Sequence, residues 1–98
     1  MSYEIELKEG ARDDLKSFDR SQQILILKQL NKIASSPELG EPLGNKNGYD
    51  LSGCRKMYVN KKQIRIVYKI IENKIIIEII AIGKREEMEV YKKALERL

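Results

Sequence analysis

The pattern of hydrophobic positions in the first half of the chain predicts one strand and two helices. Over residues 3–7 apolar side chains alternate with charged ones, which is the period-two pattern of a half-buried strand. Apolar residues then recur every three or four positions over residues 11–18 and 24–33, as in amphipathic helices. The second helix should end at Ser35-Ser36-Pro37, because proline cannot continue a helix. Residues 36–50 hold both prolines and three of the six glycines, so they are expected to form a loop.

The second half of the chain predicts three strands followed by a helix. The strands are expected at residues 51–59, 64–71 and 75–82, joined by short polar turns, and the helix at residues 85–98. The middle strand is apolar on both faces, which indicates a central position in the sheet. The element order is therefore βααβββα. It predicts an α+β fold with a small, mostly antiparallel sheet and the helices packed on one face, in a single domain of residues 1–98.

The composition is that of an ordinary globular protein, and it excludes several kinds of chemistry. Hydrophobic residues make up 42% and charged residues 35% of the 98. The chain has no histidine, which excludes Ser-His-Asp triads and histidine-based metal sites, and no metal or cofactor is expected. Its single cysteine, Cys54, cannot form an internal disulfide and is expected to be a small buried apolar residue. The sequence shows neither a secretory signal nor a membrane-spanning run, so a cytoplasmic location is expected.

Positive charge is concentrated in the second half of the chain. The net charge is +4, but residues 1–50 carry −2 and residues 51–98 carry +6. Six basic residues fall between positions 55 and 69 without an acid among them, namely Arg55, Lys56, Lys61, Lys62, Arg65 and Lys69. Crowded like charges do not stabilise a fold, whereas a polyanion such as nucleic acid would neutralise them. A solvated basic face that only favours solubility is the alternative interpretation.

Strand pairing should bring several of these basic side chains onto one face of the sheet. If the turn at residues 60–63 pairs Val59 with Ile64, then Tyr58 lies opposite Arg65. Side chains alternate between faces along a strand, so one face becomes the core and the other carries charge. The apolar face would hold Met57, Val59, Ile64, Ile66, Tyr68 and Ile70, and the basic face Lys56, Tyr58, Arg65 and Lys69. A slip of one residue would bury the charges, so the core pattern favours this register.

The next turn is expected to complete a cleft beside Arg65. Pairing Ile71 with Ile75 places Ala81 across from Arg65, and Gly83 follows on the same face. Small residues at these two positions would leave that face concave. The predicted cleft has Lys56, Tyr58 and Arg65 as its floor and Arg85 at its wall.

Two residues of the C-terminal helix each allow two interpretations. Arg85 stands at the start of the helix, where the helix dipole disfavours a cation. It either binds a ligand there or pairs locally with one of the glutamates that follow. Tyr91 lies two turns further on, and its spacing alone is most simply that of a core residue.

Four segments of the sequence resemble the RelE branch of the RelE/ParE toxin superfamily. They are LSGCRK at residues 51–56, IRIVY at 64–68, IAIGKRE at 80–86, and Val90-Tyr91. The similarity covers nearly the whole chain and is most specific in its C-terminal half. The resemblance implies a bacterial or archaeal toxin of a toxin–antitoxin pair, which enters the ribosomal A site and cuts the mRNA there without a metal ion.

The resemblance also implies which residues cut the RNA. The family's catalytic residues carry over to Lys56, Arg65, Arg85 and Tyr91. Arg65 suits the phosphate, because a guanidinium binds phosphate oxygens in a fork. Lys56 would be a base or an electrostatic participant, with a pKa lowered by the surrounding cations. Arg85 would bind the phosphate or assist protonation of the leaving group, and Tyr91 would stack on a base or orient the 2′-OH.

The remaining basic residues are expected to bind RNA, and one position departs from the family pattern. The expected RNA-binding residues are Arg55, Tyr58, Lys61, Lys62, Lys69 and Lys84. Tyr58 stands where the most similar family members have a second lysine, two residues after the first. This leaves the general base unassigned, with Lys61 and Lys62 as further candidates.

Three functions remain open at this stage. The first is a ribosome-dependent mRNA endoribonuclease, and the second is an inhibitor of DNA gyrase like the ParE branch. The third is a basic RNA-binding module without catalysis, for which the charged face alone suffices. The ribosome and mRNA are the partners of the first function. A cognate antitoxin with an acidic segment is expected as a partner of either toxin, because it would neutralise the basic cleft. No membrane partner is expected.

Overall fold

The chain folds into a five-stranded mixed sheet with three helices, as described by a computed structural model for residues 2–46, 48–84 and 89–98. In chain order the elements are β1 (Glu4–Leu7), α1 (Glu9–Ser17), α2 (Arg20–Ser35), β2 (Glu41–Pro42), β3 (Asn45–Lys46), β4 (Tyr49–Asp50), β5 (Cys54–Val59), β6 (Ile64–Ile71), β7 (Ile76–Lys84) and α3 (Glu89–Arg97). The main sheet has the order β1-β7-β6-β5-β2, and β3 pairs with β4 separately. Only the β1–β7 pair of the main sheet is parallel. The predicted α+β class and mostly antiparallel sheet are confirmed.

Helices α1 and α2 cover one face of the sheet and form the larger core. Helix α2 begins with a capping box, in which the Asp19 carboxylate accepts the Gln22 N–H at 2.8 Å. The helices contribute Ala11, Ile26, Leu30 and Ile33 to this core, and Phe18 joins it from the connection between them. The strands contribute Val59, Ile64, Ile66, Tyr68, Ile77, Ile79 and Ile82, with Met57 and Ile70 at the edge. The face predicted from the alternation in β5 and β6 is therefore the face that the first two helices bury.

Helix α3 packs on the opposite face, so the prediction that all helices lie on one face is wrong. Its buried residues Val90, Tyr91 and Ala94 contact a second core with Leu43, Leu51, Cys54, Val67, Ile80 and Ala81. The close approach depends on Gly83 of β7, because a Cβ there would lie 2.9 Å from Cβ of Val90. In the described parts of the chain, none of the helices has the length and apolar character that a membrane-spanning helix requires.

The β5–β6 register is confirmed, and the β6–β7 register is shifted by two residues. Tyr58 lies opposite Arg65 and Val59 opposite Ile64, as predicted. Arg65 faces Gly83 rather than Ala81. One residue of the shift arises at Ile75, which adopts a left-handed conformation (φ 56°) and leaves the strand to begin at Ile76. The other arises from a bulge opposite Val67 and Tyr68. Because the two shifts add to an even number, Gly83 keeps the parity that was expected for the face of Arg65.

The segment predicted as a loop, residues 36–50, contains short strands. Strand β2 extends the main sheet by pairing Glu41 with Lys56 of β5. The hydroxyl of the fully buried Tyr68 anchors the residues just before β2. This hydroxyl donates a hydrogen bond to the Pro37 carbonyl at 2.6 Å and accepts one from the Gly40 N–H at 2.9 Å. The segment is therefore fixed to the sheet by a side chain that the hydrophobic pattern assigned only to the core.

An ion pair between α1 and α3 occupies the edge of β7 beyond the end of β1. The carboxylate of Asp14 accepts the backbone N–H of Ile82 at 3.0 Å, and the guanidinium of Arg97 donates to the carbonyl of Ile80 at 2.9 Å. Asp14 and Arg97 also bond each other at 2.8 Å. These two side chains satisfy the groups that a neighbouring strand would otherwise bond. The pair thereby ties the two helices, which lie on opposite faces, to one strand.

Candidate nucleic-acid site at the β5–β6 end of the sheet

Arg65 lies at the centre of the candidate site, with its guanidinium between two aromatic rings. Its Cζ is 4.9 Å from the ring centroid of Tyr91 in α3 and 6.0 Å from that of Tyr58 in β5. Both distances are within the range of cation–π attraction. The cross-strand pair places Tyr58 beside Arg65, and the glycine at position 83 admits the helix that carries Tyr91. The side chain is half-buried between the two rings.

Lys56 lies two residues before Tyr58, on the same face of β5, and is buried. Its Nζ donates a hydrogen bond to the Tyr58 hydroxyl at 3.1 Å and lies 3.6 Å from a carboxylate oxygen of Glu41. Burial acts to lower the pKa of Lys56, but the hydrogen bond to Tyr58 and attraction to Tyr91, Tyr58 and Glu41 outweigh it, so that the pKa is raised. The expectation of a lowered pKa is wrong, because the hydrogen bond to Tyr58 stabilises the charged form, and the attraction to Tyr91, Tyr58 and Glu41 adds to it. The side chain therefore remains an ammonium at neutral pH.

Tyr58 is the group whose acidity the site changes most clearly. The hydrogen bond from Lys56 is the main cause, and hydrogen bonding to Arg65 and the charges of both cations add to it. Together they lower the pKa of Tyr58 from 10.0 to about 8, against a smaller opposing effect of burial. The ammonium of Lys62 lies 6.0 Å from the same ring. The phenol thus lies among three cations, and two of them, Lys56 and Arg65, favour its ionised form.

The turn between β5 and β6 presents two further lysines beside Arg65. Its residues Asn60, Lys61 and Lys62 all adopt positive φ, at 54°, 55° and 68°. The turn borders a cleft of about 610 Å³ that is lined by Gln22, Lys61, Lys62, Gln63, Ile64, Arg65 and Lys84. Four of these seven residues are cations and none is an acid. Such a cleft suits an anionic ligand such as a phosphate backbone.

Two of the residues that were expected to bind RNA do not join this cleft. Arg55 points to the other face of β5 and donates hydrogen bonds to the carbonyls of Gly40 at 2.7 Å and Glu38 at 3.4 Å. Its guanidinium therefore fixes the segment before β2. Lys69 is exposed on β6 opposite Cys54, four residues or roughly 13 Å along the strand from Arg65. The linear run of basic residues therefore divides in the fold: Arg55 lies on the opposite face, and Lys69 keeps the predicted face but lies away from the cleft.

Three of the four predicted catalytic residues come together, and the fourth lies outside the described residues. Lys56, Arg65 and Tyr91 converge on one face, and Tyr91 combines core packing with contact to the guanidinium. Arg85 falls in the segment 85–88, which the structure does not describe. Lys84, which precedes it, lines the cleft beside Arg65. Cys54 is buried in the second core, as predicted, and burial raises the pKa of its thiol.

Sequence reasoning missed Glu41, Gln22 and Gln63. Glu41 reaches Lys56 through the pairing of β2 with β5, and it lies in a segment without any strand pattern in the sequence. Gln22 comes from the start of α2 and Gln63 from the turn, and both line the cleft. A polar residue in a first helical turn is ordinarily solvated, so no signal in the sequence distinguished Gln22. The two amides add hydrogen-bonding groups of both kinds to a cleft that is otherwise cationic.

The sequence and the fold match a known family of toxins. Residues 6–94 match the family described as ParE-like toxin of type II bacterial toxin-antitoxin system. The chain belongs to this family, and its relatives place it on the RelE branch.

Curated and solved relatives cover the whole chain. A RelE-like toxin protein of Escherichia coli is 31% identical over 98 residues, which are 100% of this chain and 99% of the relative. The mRNA interferase toxin RelE of E. coli strain K12 is 28% identical over the same shares. A mutant of E. coli toxin RelE solved in the free state is similar with a TM-score of 0.75 at 26% identity, covering 100% of this chain and 99% of that one. A RelE mutant in complex with an antitoxin RelBc peptide is similar with a TM-score of 0.71, at the same identity and coverage.

Proposed function

We propose that this toxin is an mRNA interferase, a metal-independent endoribonuclease that cuts mRNA in the ribosomal A site. The observation that carries the proposal is the guanidinium of Arg65, which lies against the Tyr91 ring and borders a cleft with three lysines. A guanidinium that borders a basic cleft is suited to binding a phosphate whose negative charge increases during the reaction. The relatives named mRNA interferase support the same assignment.

The reaction that fits these residues uses the nucleophile of the RNA itself. The 2′-oxygen attacks the adjacent phosphorus and displaces the 5′-oxygen of the next nucleotide, which yields a 2′,3′-cyclic phosphate and a 5′-hydroxyl. Arg65 would donate hydrogen bonds to the phosphate oxygens, and the ammonium of Lys56 would stabilise negative charge beside them. The ring of Tyr91 positions the guanidinium through its contact at 4.9 Å. Lys61, Lys62 and Lys84 would bind flanking phosphates and orient the strand.

A cognate antitoxin is part of the same proposal, since RelE has been solved with an antitoxin RelBc peptide. An acidic antitoxin segment would compete with RNA for the lysines of the cleft and thereby neutralise the toxin. Because its substrate would be mRNA on the translating ribosome, the toxin would act in the cytoplasm.

The proposal is tested by cleavage of a defined mRNA on programmed ribosomes. Wild-type protein should cut the mRNA once, within the codon in the A site. Arg65→Ala should cut about 10²–10³ times more slowly, which is the usual effect of removing one group that stabilises transition-state charge. We expect Arg85→Ala to be similarly impaired. Arg12→Ala, which removes an exposed arginine from α1, is the charge-matched control and should retain full activity.

Growth and labelling experiments separate the alternatives. Induction of the wild-type protein should arrest translation, and the Arg65→Ala variant should not. A DNA-damage response with unimpaired translation would instead indicate gyrase inhibition, and absence of any effect would indicate a non-catalytic binding module. Full toxicity of a folded Arg65→Ala variant would refute the assignment of this site.

A further inference from the structure

The hydroxyl of Tyr58 lies beside the ammonium of Lys56, and its residue pairs across the strands with Arg65, so we infer that Tyr58 is the general base of the proposed cleavage. The inference rests on the proposed function and adds the group that takes the first proton. The sequence left this role unassigned between several lysines. The structure favours Tyr58 over these lysines because of the groups that surround its hydroxyl oxygen.

Tyr58 lies between the two cations that would bind the phosphate. Its hydroxyl oxygen is 3.1 Å from Nζ of Lys56, and its ring centroid is 6.0 Å from Cζ of Arg65. A phosphate bound by Arg65 would therefore bring its neighbouring ribose near the phenolic oxygen. The backbone carbonyl of Tyr58 accepts a hydrogen bond from Gln29 of α2 at 3.0 Å, which fixes the strand where the side chain emerges.

Three cations face Tyr58, namely Lys56 of β5, Arg65 of β6 and Lys62 of the turn, and the first two favour the phenolate. Beyond them, the acid Glu41 of β2 faces Lys56, and the ring of Tyr91 of α3 faces Arg65. With a pKa of about 8, roughly a tenth of the molecules carry the phenolate at pH 7, against about a thousandth for an ordinary tyrosine. Lys56 is unsuited to this role, because its raised pKa leaves almost no free amine.

The proposed step conserves protons and electrons without a co-reactant other than water. The phenolate of Tyr58 accepts the proton of the 2′-OH as the 2′-oxygen forms its bond to phosphorus. The bond from phosphorus to the 5′-oxygen breaks, and that oxygen takes a proton from water. The neutral phenol then loses its proton to the hydroxide that remains, which restores the starting state. Lys56 stays protonated throughout and stabilises each anionic form of its neighbour.

The test is the pH dependence of single-turnover cleavage on programmed ribosomes for the wild type and Tyr58→Phe. Phenylalanine keeps the ring and removes only the oxygen, so stacking and cation–π contacts are retained. Because the ionised form is active, the wild-type rate should rise with pH and level off above a midpoint near 8. Tyr58→Phe should be at least about 100-fold slower and should lack this rise. Tyr58→His should regain part of the rate with its midpoint at lower pH, because histidine is a base of lower pKa.

Controls separate this inference from the proposed function. Tyr3→Phe alters a tyrosine in the other core and should behave as the wild type. Absorbance titration of the free protein should show one tyrosine that ionises near pH 8 and is missing from Tyr58→Phe. A Tyr58→Phe variant within threefold of the wild-type rate would overturn the inference, as would a slow variant that keeps the pH-dependent rise. If the wild type itself does not cleave mRNA on ribosomes, the proposed function fails and the inference fails with it.

Discussion

Replacing Asp14 with alanine should destabilise the protein by about 3 kcal/mol, because this carboxylate joins α1, α3 and the edge of β7. Asp14 is 8% exposed and accepts hydrogen bonds from the Ile82 N–H and from the guanidinium of Arg97. The ammonium of Lys93 lies 3.9 Å away on the side of α3. The substitution leaves the Ile82 N–H and the Arg97 guanidinium without this acceptor, at a position that is largely shielded from water.

The magnitude follows from the burial of the groups left behind. A buried N–H without an acceptor costs about 1–3 kcal/mol. Breaking a buried ion pair by removing one partner costs about 3–5 kcal/mol, and the lower end applies here because the Arg97 side chain is 23% exposed. Alanine favours a helix over aspartate by at most about 0.7 kcal/mol, which offsets only part of the loss. The net expectation is therefore near 3 kcal/mol.

Urea denaturation followed by circular dichroism measures the effect, and a neighbouring residue provides the control. Asp13→Ala gains the same helix propensity on an exposed position of α1, so its stability should remain nearly unchanged. The double variant Asp14→Ala/Arg97→Ala should be less destabilised than the sum of the single variants, because the two side chains contact each other. A loss below about 1 kcal/mol for Asp14→Ala, or strict additivity in the double variant, would refute this account of the β7 edge.

Two further variants test the anchored segment and the cap of α2. Tyr68→Phe should lose about 1–3 kcal/mol, because the Pro37 carbonyl and the Gly40 N–H lose their buried partner. Burial raises the pKa of Tyr68, so the wild type should lose stability as the pH rises above 10 and the variant should lose less of it, which alkaline denaturation measures. Asp19→Ala should lower the urea midpoint by less than Asp14→Ala, because only the capping box is lost. The hydrogen bond from the Gln22 N–H lowers the pKa of Asp19, so this difference should vanish as the pH falls below 3.8, and a constant difference would contradict the reasoning.

The β5–β6 pair could be predicted from the sequence because its register has few alternatives. Polar residues separate the two strands, and a slip of one residue would have buried Arg65 and exposed Ile64. The hydrophobic alternation therefore determined both the core face and the opposite face that carries the site. The resemblance to toxins, which rests on these same strands, was confirmed by the family match.

The remaining errors come from backbone features that a hydrophobic pattern does not encode. The left-handed conformation of Ile75 and the bulge in β7 each add one residue to the register, and neither requires a glycine or proline. The position of α3 was missed because its apolar stripe would suit either face of the sheet. The close approach at Gly83 fixes that choice, and a single glycine is a weak signal.

The direction of the pKa shift of Lys56 was also predicted wrongly, because two of the groups that cause it are distant in the sequence. Neighbours in the sequence are basic, so a lowered pKa was the natural expectation. The groups that raise the pKa of Lys56 are Tyr58, Tyr91 and Glu41, and the last of these reaches Lys56 through a two-residue strand. Charges that are adjacent in sequence but on opposite faces, such as Arg55 and Lys56, contribute to different parts of the molecule.

In the turn at Asn60, Lys61 and Lys62, backbone stability and the proposed RNA binding favour different residues. A left-handed conformation costs an L-residue roughly 1–2 kcal/mol, and glycine would avoid that penalty at each position. Replacing Lys61 and Lys62 with glycine would therefore raise the free energy of unfolding, but the cleft would lose two of its four cations. If these lysines bind RNA as proposed, the variant would be less toxic and easier to produce in living cells, and it would keep the surfaces outside the cleft for studies of antitoxin binding.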